Sequence, residues 1–259
     1  MNYKDLKYEI EDRVALITLN RPKYRNAFSN DMLESLAAAI ERSQKDPDIH
    51  ALILTGEGKS FCAGGDIKNF VHPEMTPWEM KDFLQEKVHP VARNIEKLDK
   101  PLIGAINGPA YGAGMDIALM CDIRIASDRA EFCEVYIKLG LAPGDGGAFL
   151  LPRLVGLAKA LEWLLTGKTI DVEEAHRYGL VNMVVPHEKL MEACLSMARK
   201  MSDYSPLGVR LTKKAVYQAY SSNFMHHLDY IPSQMGLLTD TAYFKDAVGA
   251  FAKKGSYTK

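Results

Sequence analysis

The sequence has almost no imbalance of charge: 32 Lys and Arg stand against 33 Asp and Glu, a net charge of −1. Its basic residues are scattered, which leaves no electrostatic footprint for nucleic acid or an anionic membrane surface. Long apolar runs are missing too, and none approaches the length of a membrane span. Met1 to Arg13 shows neither an apolar signal core nor an Arg/Ser-rich, acid-poor transit pattern, so the expected compartment is the cytoplasm. The four cysteines, Cys62, Cys121, Cys133 and Cys194, lack metal-ligand spacing. Three of them lie in apolar stretches, and all four read as reduced, structural thiols. No metal is expected. Phosphate-binding patterns are also missing: Gly56-Glu57-Gly58-Lys59-Ser60 lacks the first part of a P-loop, and no GxGxxG follows the first strand. Any anionic ligand has to be met locally.

What is present is an ordinary globular composition, 47% apolar and 25% charged over 259 residues, long enough for one large domain or one domain with an appendage. Tyr8–Glu11 and Val14–Leu19 are β-rich runs split by the polar Asp12-Arg13, which predicts a hairpin. Met32, Leu33, Leu36, Ala37 and Ile40 recur at helical spacing behind the capping candidates Ser29 and Asn30. Ala51–Thr55 is a continuous apolar run and predicts a buried strand. A long helix is expected from about Pro77 to Leu98, then a strand at Pro101–Ile106, a helix from about Ala113 to Met120, and a strand at Ile123–Ala126. This alternation predicts an α/β protein that presents its loops on one side. After Pro152 the pattern is mainly helical, interrupted by a strand at Val181–Val185. A division into a core, 1–195, and a C-terminal helical region, 196–259, follows.

Two glycine-rich turns stand out. Phe61-Cys62-Ala63-Gly64-Gly65-Asp66 follows a strand, and Asn107-Gly108-Pro109-Ala110-Tyr111-Gly112-Ala113-Gly114 runs from a strand into a helix. Each has a plain reading as a tight turn. Together they offer small residues where backbone can approach a ligand, and the second places free N–H groups at a helix N-terminus, which suits a developing negative charge.

At this point the chain resembles the crotonase superfamily, the enoyl-CoA hydratase/isomerase family, over nearly its whole length. The blocks are Leu19-Asn20-Arg21-Pro22 with Asn26-Ala27-Phe28-Ser29; Phe61 through Ile67; Asn107-Gly108 through Ala126; Leu139 through Gly147; Leu151 through Gly156; and Ala175 with Gly179-Leu180-Val181-Asn182. The resemblance implies a crotonase-like spiral of repeated ββα units, a C-terminal helical region that trimerises (homotrimer or dimer of trimers), and an acyl-CoA ligand. Coenzyme A then arrives as part of the substrate, and no separate cofactor is implied. By position, Gly65 and Ala113 resemble the two oxyanion-hole donors; the family often has Gly at the second, but a backbone N–H serves equally from Ala. The loop around Arg25, Asn26 and Ala27, with Ala63, Asp66 and Ile67, resembles the wall for adenine and pantetheine. Lys23 and Arg25 are candidates for the CoA phosphates, with a solvated basic loop as the alternative.

The acid–base set departs from the family. Related hydratases use two glutamates. Here the first position holds Asp116, one methylene shorter, and the second holds Tyr136. Asp116 has a plain reading as a first-turn acid that stabilises its helix. Tyr136 reads either as a wall of the acyl pocket or as a hydrogen-bond donor. Asp145 lies one residue beyond the place where several non-hydratase members carry an acid, and ranks below Asp116. Glu134 neighbours the family position, and in an extended stretch its side chain points away. His72 and His89 are expected at the surface, and His226-His227 are expected to border the pocket.

The candidate catalytic set is thus Asp116, Tyr136 and Asp145, in an enoyl-CoA hydratase or isomerase, with the single Asp116 tilting towards isomerisation. Hydrolysis, decarboxylation or ring chemistry on a cyclic or branched acyl-CoA is the alternative. A non-catalytic acyl-CoA-binding protein is the alternative of another class.

Overall fold

The computed structural model describes residues 3–67 and 74–254, with side chains to residue 252. Its first compact unit, Met1–Lys200, is organised by a six-stranded sheet of order β1-β2-β3-β4-β6-β9. β1 (Leu6–Glu11) and β2 (Val14–Leu19) pair antiparallel, with Glu11 opposite Val14. The two residues between them, Asp12 and Arg13, both have positive φ, 48° and 66°, the backbone that a two-residue hairpin requires.

From β2 onward every pairing is parallel, through β3 (Ala51–Gly56), β4 (Leu102–Ile106), β6 (Ile123–Ser127) and β9 (Met183–Val185). Parallel strands are covered on both faces, and accordingly every residue of β3 and β4 is buried. A second sheet orders β5 (Ala110–Tyr111), β7 (Glu131–Cys133) and β8 (Ile170–Asp171). Its strands of two or three residues carry no readable period.

Ser29 caps α1 (Asn30–Lys45), accepting from the Met32 N–H, and Met32, Leu33, Leu36 and Ile40 enter the core. The helix expected from Pro77 to Leu98 is in fact interrupted. α2 (Pro77–Phe83) starts at a Thr76/Glu79 capping box, a π turn follows at Leu84–Val88, and α3 covers His89–Lys97. Pro90 has no N–H to give to the turn before it, and the His89 N–H reaches back to the Leu84 carbonyl instead. Further on lie α4 (Ala113–Met120), α5 (Gly147–Val155), α6 (Leu157–Thr166), α7 (Val172–Arg177) and α8 (Leu190–Ser202). Trp163, Phe28, Phe61 and Phe132 are the largest fully buried side chains. All four cysteines are buried, and none is in a disulfide among the described residues.

The second unit, Met201–Lys259, is helical: α9 (Pro206–Tyr220), α10 (Phe224–Thr239) and α11 (Ala242–Lys254). The division falls five residues beyond the expected one. α10 runs on through Pro232, which lies in its middle. Val216, Tyr220, Phe224, Met225, Leu237 and Phe251 on these helices are exposed. No helix among the described residues is long and apolar enough to cross a membrane.

Candidate active site

The two glycine-rich turns lie against each other. Phe61 and Cys62 donate their N–H groups to the Pro109 carbonyl at 3.1 Å, and the Tyr111 N–H donates to the Cys62 carbonyl at 2.9 Å. Gly64, at φ +92°, faces the second turn so closely that a β-carbon would lie 2.6 Å from the Tyr111 carbonyl oxygen and 3.4 Å from the Ala113 nitrogen. The next residue, Gly65, is exposed, and a β-carbon there would meet nothing within 4 Å. Ala113 is the first residue of α4, whose cap, Gly112, supplies no side chain. Among the described residues neither the Gly65 nor the Ala113 N–H makes a hydrogen bond. Two backbone donors without a hydrogen-bond partner among the described residues therefore lie on neighbouring turns, one of them at a helix N-terminus.

One turn into α4 is Asp116, fully buried. Its Oδ2 accepts from the Tyr136 hydroxyl at 2.5 Å, and the same hydroxyl lies 3.1 Å from Oδ2 of Asp145. Asp116, Tyr136 and Asp145 are thus brought together as one group. Tyr136 reaches them from a 3-10 turn, Val135–Leu139, and Asp145 precedes α5, whose first residue is Gly147.

Glu134 joins them, contrary to expectation. Its backbone (φ −83°, ψ 78°) caps the 3-10 turn and is not extended, so the alternation of a strand does not apply. The side chain is 1% exposed and neither carboxylate oxygen has a hydrogen-bond partner. A β-carbon on Gly147 would stand 2.4 Å from Oδ1 of Asp116 and 2.6 Å from Oε1 of Glu134, so these two oxygens are no more than 5.0 Å apart.

Three carboxyl groups in so small and dry a volume oppose one another's ionisation. Burial is the largest cause in each case. Asp116 is raised to about 7, with the Asp145 charge adding and the Tyr136 hydrogen bond opposing. Glu134 is raised to about 9, with Asp116 and Asp145 adding. Asp145 is also raised, against the hydrogen bond from Tyr136 and the proximity of His89. Burial and then the neighbouring acids push Tyr136 far up, which removes it as a general base. Cys62, beneath the turn, is pushed up to about 12 by burial and is inert.

His89, expected at the surface, is half-buried. Its Nε2 lies 3.0 Å from the Gly144 carbonyl and 3.9 Å from Oδ1 of Asp145. The π turn and Pro90 were the available signal. His72 lies outside the described residues, and His227 lies within the second unit, its Nδ1 3.3 Å from Oε1 of Gln218.

The proposed CoA wall is organised by a residue the sequence reading did not single out. Arg21 donates to the Ala27 carbonyl at 2.6 Å and pairs with Asp66 at 3.2 Å and with Asp5 at 3.3 Å. Asp66 is buried, and its carboxylate faces this guanidinium. Lys23 and Arg25 are exposed, Arg25 at φ 51°; Ile67 is exposed, Ala63 half-buried and Ala27 buried. Among the described residues no group of three or more His, Cys, Asp or Glu is arranged to hold a metal ion.

With this geometry in hand, comparisons with known proteins are specific. The family model for enoyl-CoA hydratase/isomerase matches residues 9–258. A short-chain-enoyl-CoA hydratase of Clostridium acetobutylicum is 39% identical over 257 residues, covering 98% of this chain and 97% of that protein. A 1,2-epoxyphenylacetyl-CoA isomerase of Escherichia coli is 36% identical, covering 95% of each. Among solved structures, an enoyl-CoA hydratase of Bacillus anthracis matches with a TM-score of 0.92 at 32% identity, covering 97% of each chain. The crotonase-like α/β fold implied by the sequence is thereby shown.

Proposed function

Because the chain belongs to the enoyl-CoA hydratase/isomerase family, we propose that it moves a proton on the acyl chain of an enoyl-CoA, shifting a double bond through a thioester enolate. In this reading the Gly65 and Ala113 N–H groups hold the thioester oxygen as it gains negative charge, and Asp116 is the acid/base. The observation that carries it is the placement of Asp116, buried one helical turn from the open Ala113 donor and raised to about 7. A carboxyl group with its pKa near neutrality suits proton transfer in either direction. Loss of one oxyanion donor costs about 10²–10³ in rate. Lys23, Arg25, Ala27, Ala63, Asp66 and Ile67 line the CoA-binding side. The reading includes a homotrimer or dimer of trimers acting in the cytoplasm, with no cofactor beyond the CoA of the substrate.

Hydration is the second reading, favoured by Asp145: the Tyr136 hydroxyl holds it beside Asp116, so a second acid stands where two are wanted. Purified protein given a 3-enoyl-CoA and crotonyl-CoA separately decides between them. Conversion of the first with little hydration of the second is expected. Rapid crotonyl-CoA hydration would make the second reading the correct one. Turnover of neither, with CoA binding retained, would leave hydrolysis, decarboxylation or ring chemistry on a cyclic or branched acyl-CoA, or a non-catalytic acyl-CoA-binding protein.

A further inference from the structure

Tyr136 touches two carboxyl groups with a single proton. Its oxygen is 2.5 Å from Oδ2 of Asp116 and 3.1 Å from Oδ2 of Asp145. A phenol donates one hydrogen bond. If it donates to one carboxylate, the other contact is attractive only when that carboxyl group carries a proton and donates to the phenolic oxygen. The surroundings agree: no Lys or Arg forms an ion pair with Asp116, Glu134 or Asp145 among the described residues, and His89 stays 3.9 Å from Asp145. Three buried, uncompensated negative charges are untenable, so the group retains protons.

The arrangement is also symmetrical. Each aspartate turns Oδ2 to the phenol, while Oδ1 of Asp116 lies against the Gly147 backbone and Oδ1 of Asp145 lies 3.9 Å from Nε2 of His89. One oxygen of each acid is thus wired to its counterpart through the phenol.

We propose that the Tyr136 hydroxyl is a proton relay between two acids that act on different carbons, so that the proton taken from one substrate molecule is handed to the next without passing through water. This rests on the enolate reading above. In the forward step the Asp116 carboxylate takes the proton from the α-carbon; that C–H bond breaks, and its electron pair passes into the conjugated enolate. The Asp145 carboxyl group gives its proton to the γ-carbon, where a C–H bond forms. Asp116 is then protonated and Asp145 ionised. The site resets when Asp116 donates its proton to the phenolic oxygen as Tyr136 gives its own to Asp145. One proton has moved between the acids, and Tyr136 is unchanged.

The experiment uses isotopic crossover in the wild-type enzyme. trans-3-Hexenoyl-CoA deuterated at C2 is mixed with the same compound carrying ¹³C and no deuterium, in ordinary water, and the 2-enoyl products are analysed by mass spectrometry. Deuterium in the ¹³C-tagged product is the expected result. Deuterium confined to its own molecule would mean one acid does both steps, and complete loss to water would mean solvent resets the site; either overturns the relay. Tyr136→Phe supplies a second readout. Its later turnovers should be slower than its first turnover per site by about 10²-fold, because only the reset needs the phenol. Equal slowing of the first turnover would make Tyr136 a support for Asp116 and no relay. A variant that fails a melting test leaves the wild-type crossover as the deciding measurement. No conversion of 3-hexenoyl-CoA by the wild type removes the enolate reading, and the relay with it.

Discussion

The α-carbon of Gly114 rests on the peptide of Cys62: a β-carbon at 114 would lie 2.2 Å from the Cys62 carbonyl oxygen. Both atoms belong to packed backbone, and the contact fixes the spacing between the turn that carries Gly65 and the helix that carries Ala113.

Gly114→Ala must therefore push the two turns apart. We expect a loss of about 1–3 kcal/mol in stability together with lower kcat, measured by urea denaturation and steady-state assay. Gly65→Ala is the contrast, since a β-carbon there meets nothing within 4 Å. Its melting temperature should stay near that of the wild type while KM rises, because the space it enters is the one proposed for the thioester.

The acid cluster predicts how stability depends on pH. Glu134 is raised from 4.5 to about 9, so between those values the folded state binds a proton that the unfolded chain has released. Its contribution is fully present below pH 4.5 and is lost as pH rises through about 9, with a slope of up to about 1.4 kcal/mol per pH unit for one group. Glu134→Gln keeps the shape and removes the titration. The variant should match or exceed the wild type in urea midpoint at pH 8.5 and show a shallower decline from pH 6. Parallel declines in the two proteins would contradict this.

Activity should run the other way. If Asp116 takes the α-proton it must be ionised, so kcat/KM is expected to rise with pH through an apparent pKa near 7, a value belonging to the interacting set of acids. Asp116→Asn should lower kcat by about 10²–10⁴. His89→Gln, which removes the neighbour that holds Asp145 down, should move the profile to higher pH.

Arg21 joins Asp5, Asp66 and the Ala27 carbonyl. Arg21→Met should cost about 3 kcal/mol and raise KM for the acyl-CoA, read from a urea titration and from saturation kinetics. A change in KM alone would mean that the Arg21 contacts shape the site without stabilising the fold.

The longer strands of the first sheet and the helix at Asn30–Lys45 were legible because each is long enough to show its pattern: Leu52 to Leu54 as a continuous apolar run, Met32 to Ile40 at helical spacing. The close approach of the two glycine-rich turns was legible through the small residues they carry. Asp116 and Asp145 were found by position, and Tyr136 as a departure from a pattern. Glu134 was misread because its orientation depends on ψ 78° at one residue, which no periodicity announces. Arg21 stood in plain view within Leu19-Asn20-Arg21-Pro22, but its partner Asp66 is 45 residues away and only the fold brings them together.

The π turn at Leu84–Val88 holds one residue more than an α-helical turn would. Deleting a single residue from it would let the backbone attempt ordinary α geometry and would rotate His89 by about 100° relative to the preceding helix. The approach of His89 to Asp145 is therefore set by a residue count. A chain of the same composition but one residue shorter in this segment would keep every acid of the site and lose the imidazole beside them.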